Sequence, residues 1–296
     1  MAARLACIGG LGAATLLDKG GFKARRLGPM DTPFGTSGPI YECDGSHGFL
    51  FLPRNGEAGY DLSSSFVNYR ANLYALKNLE VEAVMAWSAV RAISHNFRIG
   101  QYAIVTDVID ETRRRKSTFF ENSGLGTIRQ WPVFCPTLRE VMAQVLEGHK
   151  ARYTDEAVYL CTEGPRHETP AELRKYVLMG AELVGNSLVP EAFLAKELQL
   201  CYAGLAYVTD YAESGGDYRS YEPGGLFEAL GMVTDEQRVS DAVEMLPSIL
   251  STLVEPLNRA PQTCGCRSSM GHHIARGEIG EDWRTWFSTD RSEAPS

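Results

Sequence analysis

Long apolar runs are missing from this sequence. Nothing approaches the ~20 consecutive apolar residues that a membrane-spanning helix requires. Positive charge is short as well: 29 Lys and Arg stand against 37 Asp and Glu, a formal net charge of −8. A nucleic-acid binder would carry a basic stripe, so neither a nucleic-acid nor a membrane partner is expected. The one compact basic run, Arg113-Arg114-Arg115-Lys116, reads as a solvated loop or an anion contact. Cysteine is modest at seven, and no second Cys or His pair stands at zinc-finger spacing beside Cys264-Gly265-Cys266. Buried thiols in a reducing, cytoplasmic setting are therefore expected, with no metal site. His272-His273 in a polar tail reads as solvated. Met1 to Leu17 is interrupted by glycine too early for a secretory signal. There is no internal repeat and no low-complexity linker.

The 296 residues are 44% hydrophobic and 22% charged, enough to build a sizeable core. Short apolar runs alternate with segments of helical period. Strands are predicted at Leu5–Ile8, Val81–Trp87, Tyr102–Val108, Ala157–Leu160, Ala181–Val184 and Leu200–Val208, with a hairpin over 40–53. Helices are predicted at Val67–Leu79, Leu138–Leu146, Pro170–Met179, Pro190–Leu198 and Ser240–Leu257. Such alternation implies an α/β fold with a parallel or mixed sheet covered on both faces. One domain is expected over residues 1–260, followed by a polar, mobile tail over 261–296. A glycine-rich charged loop is expected at 213–225.

In open α/β sheets, ligands bind where strands end, and several strand ends here carry polar or small residues. Gly9-Gly10-Leu11-Gly12 follows the first strand. It is no Walker loop, since no Gly-Lys-Ser/Thr follows, and Thr15 breaks the dinucleotide fingerprint. It is an anion cradle or a simple tight turn. Arg54, in Pro53-Arg54-Asn55-Gly56, clamps an anion or lies at the surface. Ser88 and Ala89 permit close backbone approach to a ligand, or pack under a helix. Asp210, in Thr209-Asp210-Tyr211, is a general acid or a helix N-cap. The corner CTEGPRHETPAE (161–172) crosses from a strand to a helix. The constellation favours a small-molecule enzyme over a scaffold.

A family likeness is carried, in order, by Gly9-Gly10-Leu11-Gly12, Asp31-Thr32-Pro33-Phe34-Gly35, Val67-Asn68-Tyr69-Arg70-Ala71-Asn72, Phe134-Cys135-Pro136, Glu163-Gly164-Pro165-Arg166, Val189-Pro190-Glu191 with Leu194-Ala195-Lys196-Glu197, and Thr209-Asp210-Tyr211. The chain resembles the trimeric purine nucleoside phosphorylases, nearest the 5′-methylthioadenosine phosphorylase branch, over roughly residues 4–256. The resemblance implies a single-domain α/β sandwich around a mixed sheet or distorted barrel, a homotrimer, and no cofactor beyond inorganic phosphate as co-substrate. It implies phosphorolysis: phosphate attacks C1′ through an oxocarbenium-like transition state while a purine leaves. Asp210 matches the residue that neutralises purine N7, and a dry pocket would raise its pKa.

The likeness also assigns departures. Gly10 and Leu11 stand in a phosphate loop that usually reads Gly-Thr-Gly. Arg54 and Asn55 replace an arginine-histidine pair. Ser88, Ala89 and Ser187 fit the remaining phosphate contacts. On the base and ribose side stand Val90, Arg91 for a glycine, His167 for a stacking phenylalanine, Glu168, Asn186 for a methionine, and Ala212 for a second aspartate. Glu168 would accept a base N–H or serve as a helix N-terminal charge. Arg91 would shape the base pocket or swing out to an acid such as Glu168. Each lost charge-assisted phosphate contact costs about 1.5–3 kcal/mol. A hydrolase, a specialised biosynthetic relative and a non-catalytic nucleoside-binding paralogue therefore stand as alternatives to phosphorolysis.

Overall fold

A computed structural model describes residues 5–10, 13, 17, 23–43, 48–59, 61–212, 235–261 and 263–287. Leu11, the turn at 44–46 and the loop at 213–225 lie outside the described residues.

The fold is organised by three buried parallel strands. β1 (Leu5–Gly9) lies between β6 (Phe49–Pro53) and β7 (Ala83–Ala92), parallel to both. A central parallel strand is covered on both faces and so reads as a continuous apolar run, and every residue of LACIG is buried. β13 (Cys201–Tyr211) runs parallel to β7 along its whole length. The sheet order is β10-β8-β13-β7-β1-β6-β5-β2, with β2 at Ala24–Gly28, β5 at Ile40–Cys43, β8 at Tyr102–Ile104 and β10 at Tyr153–Thr154. β5 and β6 are the expected antiparallel hairpin. The expected strand over 102–108 divides into β8 and β9 (Asp107–Glu111), which pair with different partners.

The long strands also carry a second arm. At its far end β7 pairs antiparallel with β12 (Leu183–Gly185) through Arg91 and Ala92, and β12 pairs with β11 (Val158–Thr162), which pairs with β9. The sheet is mixed and branched. Among the described residues it does not close, so the expected mixed sheet is present and the distorted barrel is not. A two-residue hairpin, β3 (Asp31–Thr32) and β4 (Gly35–Thr36), stands apart.

Period-two alternation divides the core into two sides. Ala6, Ile8, Val84, Ala86, Tyr202 and Ala206 face one cluster; Leu5, Cys7, Met85, Trp87, Ala203 and Leu205 face the other. α1 (Tyr69–Asn78) and α4 (Glu191–Glu197) supply the first side; α2 (Pro136–Gly148) and α5 (Glu236–Arg259) supply the second. α5 buries Leu246, Ile249, Leu250, Leu253, Val254 and Leu257, a helical stripe, and its N-cap is the Asp235 carboxylate accepting from Arg238 N. α3 (Pro170–Leu178) starts in a capping box between Thr169 and Glu172.

The expected mobile tail is corrected for its described residues. Segment 263–287 folds back, with a short helix α6 (Gly271–Ala275) and with Met270, Trp286 and Phe287 buried in the first cluster. Phe287 meets Phe34, Phe119 and Phe120 at ring-centroid distances of 5.5, 5.1 and 5.3 Å. Three scattered large apolar side chains, each of which removes about 1.5–3 kcal/mol of exposed surface on burial, are enough to dock a segment that composition alone marks as polar.

Glu197 on α4 is buried in this fold, accepting from Thr118 Oγ1 and Phe119 N, both at 2.7 Å. Burial pushes its carboxyl from the ordinary 4.5 up to about 7, against those two hydrogen bonds. The folded chain therefore holds this proton more tightly than the unfolded chain. Its contribution to stability is full below pH 4.5 and is lost as pH rises to about 7. Glu197→Gln should flatten that slope: relative to the parent chain it should gain stability between pH 5 and 8, by at most about 3 kcal/mol. Urea midpoints at the two pH values check this; parallel shifts of both proteins would remove Glu197 as the cause.

Candidate active site

The site is built where β1, β6, β7, β12 and β13 end. On one side the backbone of Gly10 follows β1, its N–H bonded to Trp87 O at 3.1 Å, and Arg54 N bonds Gly9 O at 2.8 Å. A methyl group added at Gly10 would sit 3.2 Å from both Arg54 Nη1 and Trp87 O and 3.9 Å from Ser187 Oγ. A side chain there would be a tight fit, and Arg54, Ser187 and the β7 strand end converge around Gly10.

Arg54 is not at the surface. Its side chain is fully buried and donates through Nε and Nη2 to the two carboxylate oxygens of Glu191, which also accepts from Tyr202 Oη at 2.8 Å. Nη1 keeps only a long 3.5 Å contact to Trp87 O, so it is the part of the guanidinium available to an anion beside Gly10. Asn55 is spent elsewhere: Nδ2 donates to Leu62 O at 2.8 Å, closing the loop after β6.

Ser88 is buried on β7, its hydroxyl 3.3 Å from Tyr159 Oη, and that hydroxyl accepts from Ser187 N at 3.0 Å. Tyr159 therefore ties β7 to the turn after β12. A Cβ on Gly185 would lie 2.3 Å from Tyr159 Oη, so only glycine fits there. Ala89 is half-buried at the same strand end and Val90 is buried.

The opposite side is a ladder of side chains. Arg91 forms an ion pair with Glu168, and Glu168 Oε1 accepts from Thr162 Oγ1 at 2.7 Å. Thr162 Oγ1 accepts in turn from Asn186 Nδ2 at 2.8 Å. Of the two readings for Arg91, pairing with Glu168 is the one observed, but the acid is no surface group: the two side chains are 13% and 4% exposed. His167 is exposed on the turn, Ala212 is buried behind β13, and a Cβ on Gly164 would meet Asn186 at 3.2 Å.

Asp210 sits beside this ladder, opposite Arg91 across the β13–β7 pairing, where the register slips between Val208 and Asp210. The expected strand ends at Val208; the observed one runs through this bulge to Tyr211. Bulges re-aim side chains. Thr209 Oγ1 bonds Val90 O at 3.0 Å, while Asp210 Oδ1 is buried with no partner. Asp210 caps no described helix. Burial pushes its carboxyl from 3.8 up to about 6, opposed by the positive Arg91 and a hydrogen bond with Thr209.

Arg115 corrects the reading of the basic run. Its side chain is fully buried and donates to the carbonyls of Asn186 and Val189 at 2.6 Å and of Thr162 and Glu163 at 3.0 Å. It binds the 161–172 corner to the β12–α4 turn and leaves no donor direction for a solvated loop. Glu191, Tyr159, Thr162 and Arg115 were not singled out as site residues from sequence. The signal available for Glu191 was an acid set among apolar residues in Val189-Pro190-Glu191-Ala192-Phe193-Leu194, where an ordinary helix start was equally consistent.

Residues 5–244 match the family described as the Phosphorylase superfamily. Over 291 residues the chain is 33% identical to a probable 6-oxopurine nucleoside phosphorylase of Korarchaeum cryptofilum, covering 92% of this chain and 99% of that protein. It is 31% identical to S-methyl-5′-thioadenosine phosphorylase of Saccharolobus solfataricus, covering 90% and 96%. Among solved structures, a methylthioadenosine phosphorylase from an antarctic soil metagenomic library superposes with a TM-score of 0.76 at 26% identity, covering 90% and 91%. The methylthioadenosine phosphorylase of Schistosoma mansoni shares the fold, with a TM-score of 0.77 at 23% identity over 93% and 98%. The match over residues 5–244, which takes in the strand ends of the site and Asp210, makes this chain a member of the phosphorylase superfamily.

Proposed function

We propose that this protein cleaves the N-glycosidic bond of a purine nucleoside by phosphorolysis, and that its preferred substrate is altered at the 5′ position in the manner of methylthioadenosine. A phosphate oxygen forms the new bond to C1′ as the C1′–N9 bond breaks. The bonding pair leaves with the purine, N7 takes a proton, and the products are free base and sugar 1-phosphate. The names of the relatives favour a purine nucleoside and include the methylthio class.

The observation that carries the reading is Asp210: a buried carboxyl with an unpartnered oxygen and a pKa raised to about 6. Roughly a tenth of it is protonated at pH 7, which suits a general acid. The anion is held by Gly10, Arg54 Nη1, Ser88, Ala89 and Ser187; Leu11, also expected there, lies outside the described residues. Val90, Arg91, Glu168, Asn186, His167 and Ala212 line the base and ribose side. Water in place of phosphate is the second reading, favoured because Asn55 is committed to Leu62 O and two of the three guanidinium nitrogens of Arg54 to Glu191. Incubating methylthioadenosine, adenosine and inosine with and without phosphate decides between them. Sugar 1-phosphate marks phosphorolysis, free sugar marks hydrolysis, and no base release marks a binding protein. A cytoplasmic homotrimer is part of the proposal: the seven cysteines are thiols, and Phe66, Trp131 and Leu178 expose 73%, 60% and 89% of their surface. Native mass spectrometry reads the subunit number.

Asp210→Asn should lower single-turnover base release by about 10²–10⁴-fold with substrate affinity retained. In the parent chain, kcat/KM should fall as pH rises through about 6, because only the protonated acid donates; the variant should lose that limb. An unchanged rate removes Asp210 from the mechanism.

Arg91 lowers the Asp210 pKa. Arg91→Met should therefore move the same limb to higher pH, whereas a limb that stays in place assigns it to another group.

Gly10→Ala fills the cradle with a methyl group 3.2 Å from Arg54 Nη1. Loss of one charge-assisted contact, about 1.5–3 kcal/mol, should raise the phosphate KM by ~10–100-fold. Initial rates against phosphate check this; an unchanged KM places the anion elsewhere.

A further inference from the structure

Four cysteines far apart in sequence come together away from the active site. Cys135 precedes α2, Cys201 opens β13, and Cys264 and Cys266 flank Gly265 in the turn that leads into the docked C-terminal segment. Their sulfur atoms all lie within 4.8 Å of one another, and Cys201 and Cys264 are 3.5 Å apart. All four are thiols. The expectation of no metal site rested on zinc-finger spacing, and the fold supplies two of the four positions from 66 residues apart (201 − 135).

We propose that Cys135, Cys201, Cys264 and Cys266 bind one zinc ion as a structural tetrathiolate centre. Zn–S bonds of about 2.3 Å in a tetrahedron set the sulfurs about 3.8 Å apart, so the observed cluster needs only small adjustments. Four soft sulfur ligands, with no fifth donor found among the described residues, select zinc or iron rather than a hard cation, and a set of four thiolates suits a structural rather than a catalytic ion. Binding exchanges four thiol protons for one Zn²⁺, leaving a centre of net charge −2. The surroundings suit that charge: Leu138 N donates to Cys135 Sγ at 3.5 Å, and Lys196 and Lys77 lie close enough to interact with Cys266 and Cys201. Cys135 and Cys201 are buried, and their backbones are held by Cys135 N to Tyr202 O at 2.8 Å and Cys201 N to Glu82 O at 2.9 Å.

The fold also shows what the ion would do. Cys264 and Cys266 lie beyond the residues matched to the family, which end at 244. The turn that carries them is held by Arg267 to Glu82 at 2.7 Å, Gln199 to Arg267 O at 2.6 Å and Ser269 to Lys196 O at 2.5 Å. These are exposed or half-exposed contacts, worth little individually. A zinc ion would anchor the segment covalently to α2 and β13, so that Met270, Trp286 and Phe287 stay packed on the core.

The test uses the full chain purified without chelator from zinc-supplemented cells. Elemental analysis should find about one zinc per chain, the stoichiometry of a closed four-thiolate site. Exchange into Co²⁺ should give intense sulfur-to-metal charge-transfer bands and the visible spectrum of a tetrahedral tetrathiolate. Cys264→Ser with Cys266→Ser should lose the zinc, while Cys43→Ser, buried elsewhere in the core, should keep it. Chelation should make the chain cleavable by protease near residue 262. If the doubly substituted chain does not fold, the cobalt spectrum of the parent still decides. Four alkylatable thiols with no metal, disulfides seen as two mass units lost per bond in unreduced protein, or stoichiometric iron in place of zinc would each overturn the proposal.

Discussion

The interior hinges on one ion pair. Arg54 and Glu191 are both fully buried, joined through two hydrogen bonds, and the second Glu191 oxygen also takes the Tyr202 hydroxyl. Taking two charges out of water is expensive, and the attraction repays it only when geometry is good and the remaining lone pairs are satisfied. Both conditions hold. Removing either partner would strand a charge in the core, at about 3–5 kcal/mol. The pair joins the turn after β6 to the start of α4, and it aims Nη1 at the backbone of Gly10. The same contact thus closes the fold and places a cation beside the backbone of Gly10. An arginine suits this better than a lysine, because its planar fork can satisfy a carboxylate on one edge and keep another nitrogen free.

The far side of the site follows a different logic. Arg91, Glu168, Thr162 and Asn186 hold one another, and both carboxylate oxygens of Glu168 have a protein partner. Arg115 fixes the backbone beneath them through four carbonyls. Against that satisfied ladder, Asp210 Oδ1 is the exception. A buried polar atom without a partner normally costs on the order of 1–3 kcal/mol, and a fold keeps such a cost where the group is needed. Asp210 lies at the bulge where the β13–β7 register slips between Val208 and Asp210.

Much of the fold was legible because its elements are strongly periodic. The buried run LACIG, the hairpin at 40–53 and the amphipathic α5 were each readable from local pattern, with boundaries moved by a few residues. The unreadable parts depend on contacts between distant residues. Nothing in Tyr102–Val108 shows that the strand divides, since the division comes from two different partners. Asp210, Arg54, Ser88 and Ser187 could be named from motifs, but the burial of Arg54 could not, because its counter-charge lies 137 positions away. Arg115 was misread for the same reason: four basic residues in a row look solvated until one of them finds four carbonyls. The tail was misread because average polarity hides three large side chains at 270, 286 and 287.

Charge balance across the site sets how it would meet an anion. Arg54 is neutralised by Glu191 and Arg91 by Glu168, so the two cations nearest the strand ends contribute no net positive charge. Asp210, whose pKa burial raises to about 6, is half ionised at pH 6 and loses its negative charge only as the pH falls below that. A phosphate entering beside Gly10 would then be held by directed donors rather than by net field: Arg54 Nη1, backbone N–H groups, and the hydroxyls of Ser88 and Ser187. Directed donors in a dry site are pre-arranged and need no reorganisation as charge moves. They also discriminate by shape, since a donor aimed at an absent oxygen stays unpaired. A site of this kind binds an anion less tightly than a cluster of free cations would, but it fixes the anion's orientation more closely. Binding energy in such an arrangement resides in orientation, which is the form that lowers a barrier.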